Sequence, residues 1–231
     1  MKKHKFVTLK KRRILVSVLC ICSLLVCLLV PKLVLSSSPS VKYSIVLDAG
    51  HGGIDGGCVG KETGITESHL NLEYAFQLKD LCEEFGVKVI LTRSTMDGLY
   101  SPFASNKKRS EMEKRENIIK TSNADMLISI HMNSLPSRSI KGAQVFYKKG
   151  SDHSREFATQ LTSSLKSRLN NIRGNSKEGD FYVLNCNNKP AVLLECGYLS
   201  NSEEEKLLIS EDYKKSFCEA IFYGILNFLQ M

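Results

Sequence analysis

Ser44-Ile45-Val46-Leu47-Asp48-Ala49-Gly50-His51-Gly52-Gly53, together with residues 67–85 (ESHLNLEYAFQLKDLCEEF), decides the fold. Residues 44–47 form a short apolar strand that runs into a glycine-rich turn over 50–60. The apolar positions Leu70, Tyr74, Leu78 and Leu81 then recur at helical spacing, and Gly86 ends that helix. Strand, glycine turn and helix repeat outward from there. A second strand covers 87–91. After a polar loop, Ser110 and Glu113 read as a capping box for a helix reaching Thr121. Residues 126–130 and 143–147 are further strands, and 154–169 is an amphipathic helix. Strands at 181–184 and 191–194 follow, then a closing helix over 212–229 with an apolar stripe through Phe217, Ile221, Ile225 and Phe228. Short apolar strands separated by helices predict an α/β single-domain three-layer fold: a mostly parallel twisted sheet with helices on both faces. In such sheets ligands bind at the carboxyl ends of the strands.

Charge is distributed unevenly. Lys2, Lys3, Lys5, Lys10, Lys11, Arg12, Arg13 and Lys32 supply eight positive charges in the first forty residues, which contain no acid, and the whole chain carries +8. Everything after residue 40 is therefore formally neutral, and a nucleic-acid partner loses its support. Residues 1–13 form a basic cytoplasmic region. Residues 14–35 form a membrane anchor or signal peptide, residues 36–42 a polar linker and residues 43–231 the folded domain. The anchor is favoured because the apolar run is long for a signal peptide and no Ala-x-Ala site follows it. The preceding positive charge places the domain outside the cytoplasm. Cys20, Cys22 and Cys27 lie in the apolar run. The domain's five, Cys58, Cys82, Cys186, Cys196 and Cys218, are odd in number and have no CxxC spacing, so buried free thiols are expected.

Three groups at strand and helix ends carry candidate chemistry. His51 follows the first strand, His131 follows the third in Ser129-Ile130-His131-Met132-Asn133-Ser134, and Glu67 begins the first long helix. Two imidazoles and one carboxylate are a common catalytic zinc set that leaves a coordination position for water. Glu195 ends the 191–194 strand. An ionised group there is costly unless it faces a polar site, and apolar surroundings would raise its pKa, as a proton carrier needs.

Leu47-Asp48-Ala49-Gly50-His51-Gly52-Gly53, Glu67-Ser68-His69-Leu70-Asn71-Leu72, Ser129-Ile130-His131-Met132-Asn133-Ser134 and Leu194-Glu195-Cys196-Gly197-Tyr198-Leu199-Ser200-Asn201 resemble the zinc-dependent N-acetylmuramoyl-L-alanine amidases in order and spacing. The resemblance covers residues 44–229. It implies that His51, Glu67 and His131 hold one zinc ion, that Glu195 is the catalytic acid and base, and that peptidoglycan is the substrate. Arg115 stands where the family usually has an arginine, and a structural role is expected for it. A short domain behind an N-terminal membrane segment is similar to the family's sporulation and germination members. That likeness implies trimming of stem peptides in spore cortex before a separate deacetylase forms muramic δ-lactam, in the space around the forespore. With no inserted inhibitory helix, an accessory or activating protein is the expected control. The family's Asp-Pro-Gly-like turn is replaced here by Asp55-Gly56-Gly57-Cys58, which predicts a looser loop beside the metal.

Other residues read more plainly. His69 lies about 200° around the helix from Glu67, so it is surface; His153 and His4 are solvated or in the targeting segment. Turn-forming roles are preferred for Asp48 and Asp55 over support of a ligand histidine. Cys196 alternates to the face opposite Glu195. Lys148, Lys149 and the acidic run 203–205 are expected to be solvated. A zinc exopeptidase is the rival enzyme, with Arg93 holding a peptide terminus. A non-catalytic wall-binding protein is the third reading, and the presence of all four site residues counts against it. Asn133, beside His131, is a further supporting candidate.

Overall fold

The computed structural model describes residues 16–23 and 42–230. Residues 16–23 are helical and exposed. The basic segment 1–13, most of the 14–35 span and all of the linker but Lys42 lie outside the described residues. Among those described, no helix is long and apolar enough to cross a membrane.

The strands are β1 (Tyr43–Ala49), β2 (Val87–Leu91), β3 (Met126–Asn133), β4 (Gln144–Lys148), β5 (Lys177–Gly179) and β6 (Ala191–Tyr198). They form one sheet in the order β2-β1-β3-β6-β4-β5. β2, β1, β3 and β6 are parallel neighbours. β4 runs antiparallel to β6, and β5 pairs parallel with β4. Four of its five pairings are parallel, as expected, and the sheet is mixed only where β4 meets β6. The cause is the link from β3 to β4, residues 134–143, which contains no helix: without a crossover the chain returns antiparallel.

The helices are α1 (Glu67–Glu84), α2 (Lys107–Thr121), α3 (Asp152–Arg168), α4 (Ser202–Leu208) and α5 (Glu211–Leu229). Alternation along the strands sorts the core into two layers. Ile45, Leu47, Met126, Ile128, Val192 and Leu194 bury against α1, α3 and α5. Val46, Leu127 and Leu193 pack on the other face with Ile119 of α2 and with Val183 and Leu184. Gly224 lets α5 lie directly on α3, since a Cβ there would come within 2.8 Å of Leu161 Cα.

Several local expectations are corrected. Residues 181–184 are not a strand: Tyr182–Asn185 is a 3-10 turn closed by Leu184 N–H donating to Phe181 O at 3.1 Å. α2 starts a turn before the expected capping box, because Asn106 accepts from Arg109 N–H at 2.9 Å while Ser110 Oγ accepts from Ser101 N–H. The acidic run is helix α4. Glu204 and Glu205 are buried, and their carboxylates accept backbone N–H groups of Gly142 and Tyr198 and of Glu62 and Thr63 respectively.

Candidate active site

On β1, β3 and β6 the same alternation turns Asp48, His131, Leu193 and Glu195 into a cleft roofed by α2 and the 3-10 turn. His131 and Glu195 are in-register neighbours on β3 and β6, and the register shifts immediately beyond them. Cys196 points into the opposite core, as alternation requires.

His51 reaches the cleft by another route. It lies past β1 in a left-handed conformation, φ 62°, followed by Gly52 at φ 135° and Gly53 at φ 59°. For a residue with a side chain this conformation costs on the order of 1–2 kcal/mol, so the turn must be held from outside. Two buried arginines hold it. Arg115 donates to the carbonyls of Ala49 and His51, and Arg93 to those of Ala49, Gly50 and Ser68. Arg115 is itself paired with Asp48 and Glu111. Asp48 also accepts from Thr92 and Ser129, and although burial alone would raise its carboxyl, the Arg115 guanidinium holds it below the usual range.

Glu67, at the first position of α1, is where the groups meet. Its Oε1 lies 2.9 Å from His131 Nδ1 and 3.1 Å from His51 Nε2, and it accepts from Met132 N–H at 3.2 Å. Oε2 accepts from Cys58 N–H at 2.9 Å. One donor atom from each of His51, Glu67 and His131 lies within 4.8 Å of the others, and no other such set occurs among the described residues. Bonds of about 2.0–2.2 Å in a tetrahedral zinc site space ligands roughly 3.3–3.5 Å apart, and the two distances to Glu67 Oε1 reach that spacing after opening by a few tenths of an ångström. Close packing leaves no room for a side chain at Gly50, against the His131 ring: a Cβ there would fall 2.2 Å from His131 Cε1.

The charges agree with a cation site. Burial alone would raise the Glu67 carboxyl, but His131 and His51 outweigh it and hold it far below the carboxylate range. Burial disfavours a charged His51 ring, yet Glu67 and Asp55 together raise its pKa. Asp55 Oδ1 sits 2.9 Å from His51 Nδ1, and Lys108 and His51 bring the Asp55 carboxyl down to about 2. Asp55 thus supports a candidate ligand, the role ranked second from sequence. The loop after it is tied down rather than loose: Gly57 N–H donates to Asp55, Cys58 N–H to Glu67 and Ser68 N–H to Gly56 O. Burial pushes Glu195 up to about 7, and its Oε2 is buried without a hydrogen-bond partner.

The cleft beside these groups has a volume of about 240 Å³; Met112, Phe181, Tyr182 and Val183 form its apolar wall. Of the supporting candidates, Arg115 is engaged by Asp48, Glu111 and the carbonyls beneath the His51 turn. Arg93 is buried and engaged with backbone carbonyls, so it is not placed to hold a peptide terminus. Asn133 stays outside the cluster, its amide oxygen accepting from Ser134 N–H. His69 is exposed and pairs with Glu73. Two residues escaped the sequence reading. Glu111 anchors Arg115 one turn away, a signal readable as an i,i+4 pair, and Asn71, four residues after Glu67, donates to Gly50 O at 3.1 Å.

Residues 45–227 match the family model described as N-acetylmuramoyl-L-alanine amidase. The germination-specific N-acetylmuramoyl-L-alanine amidase of Bacillus subtilis (strain 168) is 35% identical over 188 residues, covering 80% of this chain and 78% of that protein. The structure is similar to the CwlD amidase from Clostridioides difficile, solved in complex with the GerS lipoprotein, with TM-score 0.78 and 37% identity over 82% of this chain and 99% of that one. It also resembles the catalytic domain of CwlV from Bacillus (Paenibacillus) polymyxa var. colistinus, at TM-score 0.72 and 30% identity over 81% and 98% of the two chains. On fold, motif order and sequence alike, the chain belongs to the N-acetylmuramoyl-L-alanine amidase family.

Proposed function

We propose that this protein is a zinc-dependent N-acetylmuramoyl-L-alanine amidase that hydrolyses the amide between the muramic acid lactyl group and the L-alanine of the stem peptide. The observation that carries the proposal is the convergence of His51, Glu67 and His131 within 4.8 Å beside a buried, unpartnered Glu195 oxygen. Those three residues would hold the ion, which when bound supplies Lewis acidity to water and to the amide carbonyl. Glu195 takes the proton of the attacking water and delivers it to the departing L-alanine nitrogen. A carboxyl pushed up to about 7 is matched to both halves of that transfer near neutral pH. Arg115, Arg93 and Asp55 act through His51: they fix its backbone and its ring.

The test is Glu195→Gln in the full chain. The expected outcome is unchanged zinc content with loss of new L-alanine amino termini in digested peptidoglycan, read by mass spectrometry of the fragments. Undiminished release would overturn the mechanism. Removing the metal with a chelator should abolish release by the parent protein, and readdition of zinc should restore it.

By likeness to the germination-specific relative, the setting is modification of spore cortex before muramic δ-lactam is formed. Residues 14–35 would tether the enzyme or direct its export, leaving domain 43–231 outside the cytoplasm. The structural neighbour's complex with a lipoprotein supports an accessory protein as partner here.

A further inference from the structure

Along α2, the residues that face the cleft form a ladder from its floor to its mouth. Arg115 lies at the bottom among buried acids. Met112 stands about one turn higher and Lys108 another, so the ladder rises roughly 10 Å over seven residues. Lys108 opens a helix whose first turn, Lys107-Lys108-Arg109, contains no acid, against the preference of a helix N-terminus for negative charge. Departures from local preference of this kind concentrate at functional sites. The three cations differ in occupation. Lys107 lies over the Tyr100 ring and Arg109 pairs with Glu113. Lys108 lines the cleft and pairs only with Asp55, which His51 and Gly57 N–H already engage. Lys108 is two-thirds exposed, and a pair of that kind exchanges readily for another anion.

We infer that the stem peptide leaves the scissile bond along α2, with the L-alanine side chain against Met112 and Val183 and a carboxylate of the following residue on Lys108. Lys108 is then a specificity residue that separates stems bearing a free α-carboxylate at the second position from stems amidated there. This rests on the amidase reading for the identity of the ligand, and the geometry of the cleft supplies the direction.

Binding separates this inference from catalysis. The probes are N-acetylmuramoyl-L-alanyl-D-glutamate with its γ-carboxyl blocked as the methylamide, and the α-carboxamide of that same compound, titrated calorimetrically into the full chain with Glu195→Gln, which cannot consume them. The carboxylate form should bind about two- to fivefold more tightly. Adding Lys108→Gln should erase that preference, leave the carboxamide unchanged and leave zinc affinity unchanged. Equal binding of the two probes before Lys108 is altered overturns the inference. So does a preference that survives Lys108→Gln, or a loss of zinc affinity with both probes weakened equally, which would make Lys108 only a support for Asp55. Turnover of either probe by the parent protein tests the amidase reading separately.

Discussion

His131 and His51 bring their imidazoles to the same carboxylate by opposite structural means. His131 rides on a central strand that pairs with β1 up to Ile130 and with β6 through His131 itself. His51 stands beyond the end of its strand, in a left-handed turn that two distant arginines pin through its carbonyls. One histidine is placed by a ladder that any apolar strand can join, the other by side chains 42 and 64 residues further along the chain, as the numbers of Arg93 and Arg115 show. The two supports should therefore fail separately.

Arg115→Ala is the strongest way to separate them. It leaves Asp48 and Glu111 buried without their cation, and breaking such a pair costs about 3–5 kcal/mol. Urea unfolding should show that loss. The turn should lose order before the sheet does, so hydrogen exchange should accelerate at Gly52 and Gly53 more than in β3. The same cluster sets an acid limit. Because the folded Asp48 carboxyl is held below its ordinary value, its contribution is fully present above the unfolded pKa and is lost as pH falls below about 4. Asp48→Asn should flatten the wild-type decline in stability over that window.

Gly50→Ala strikes the other histidine. The added methyl would occupy space held by the His131 ring, so zinc affinity should fall about 10- to 100-fold, measured by competition with a chelating dye. If instead the turn moves aside and affinity holds, the ladder-borne histidine is the rigid partner and the turn the adaptable one. Asn106→Ala is the mildest probe. Loss of the α2 cap should cost about 1 kcal/mol and loosen Arg115's helix while leaving β3 untouched, which a thermal melt and exchange at Ile128 would report.

The contrast also explains what could be read from sequence. β1, β3 and β6 were legible as apolar runs, and His51, His131 and Glu195 as polar residues at their ends. Glu67 was legible as the opening residue of a periodic helix. The direction of β4 was not, because antiparallel return depends on where a loop lands and leaves no periodic mark. Arg115 could be given a structural role, but neither its acceptors nor those of Arg93 could be read: a buried arginine is indistinguishable from a solvated one until its acceptors are known, and these include backbone carbonyls far away in sequence. Glu204 and Glu205 read as solvent-facing for the same reason, since the backbone N–H groups that satisfy them belong to other loops.

The side-by-side placement of His131 and Glu195 has an evolutionary reading. Parallel strands lie about 4.8 Å apart wherever they pair, so the interval between these two residues is written into the hydrogen-bond lattice and owes nothing to the loops. Relatives can therefore redraw the surrounding rim to suit new polymers while inheriting this interval unchanged, and only a slipped strand could erase it.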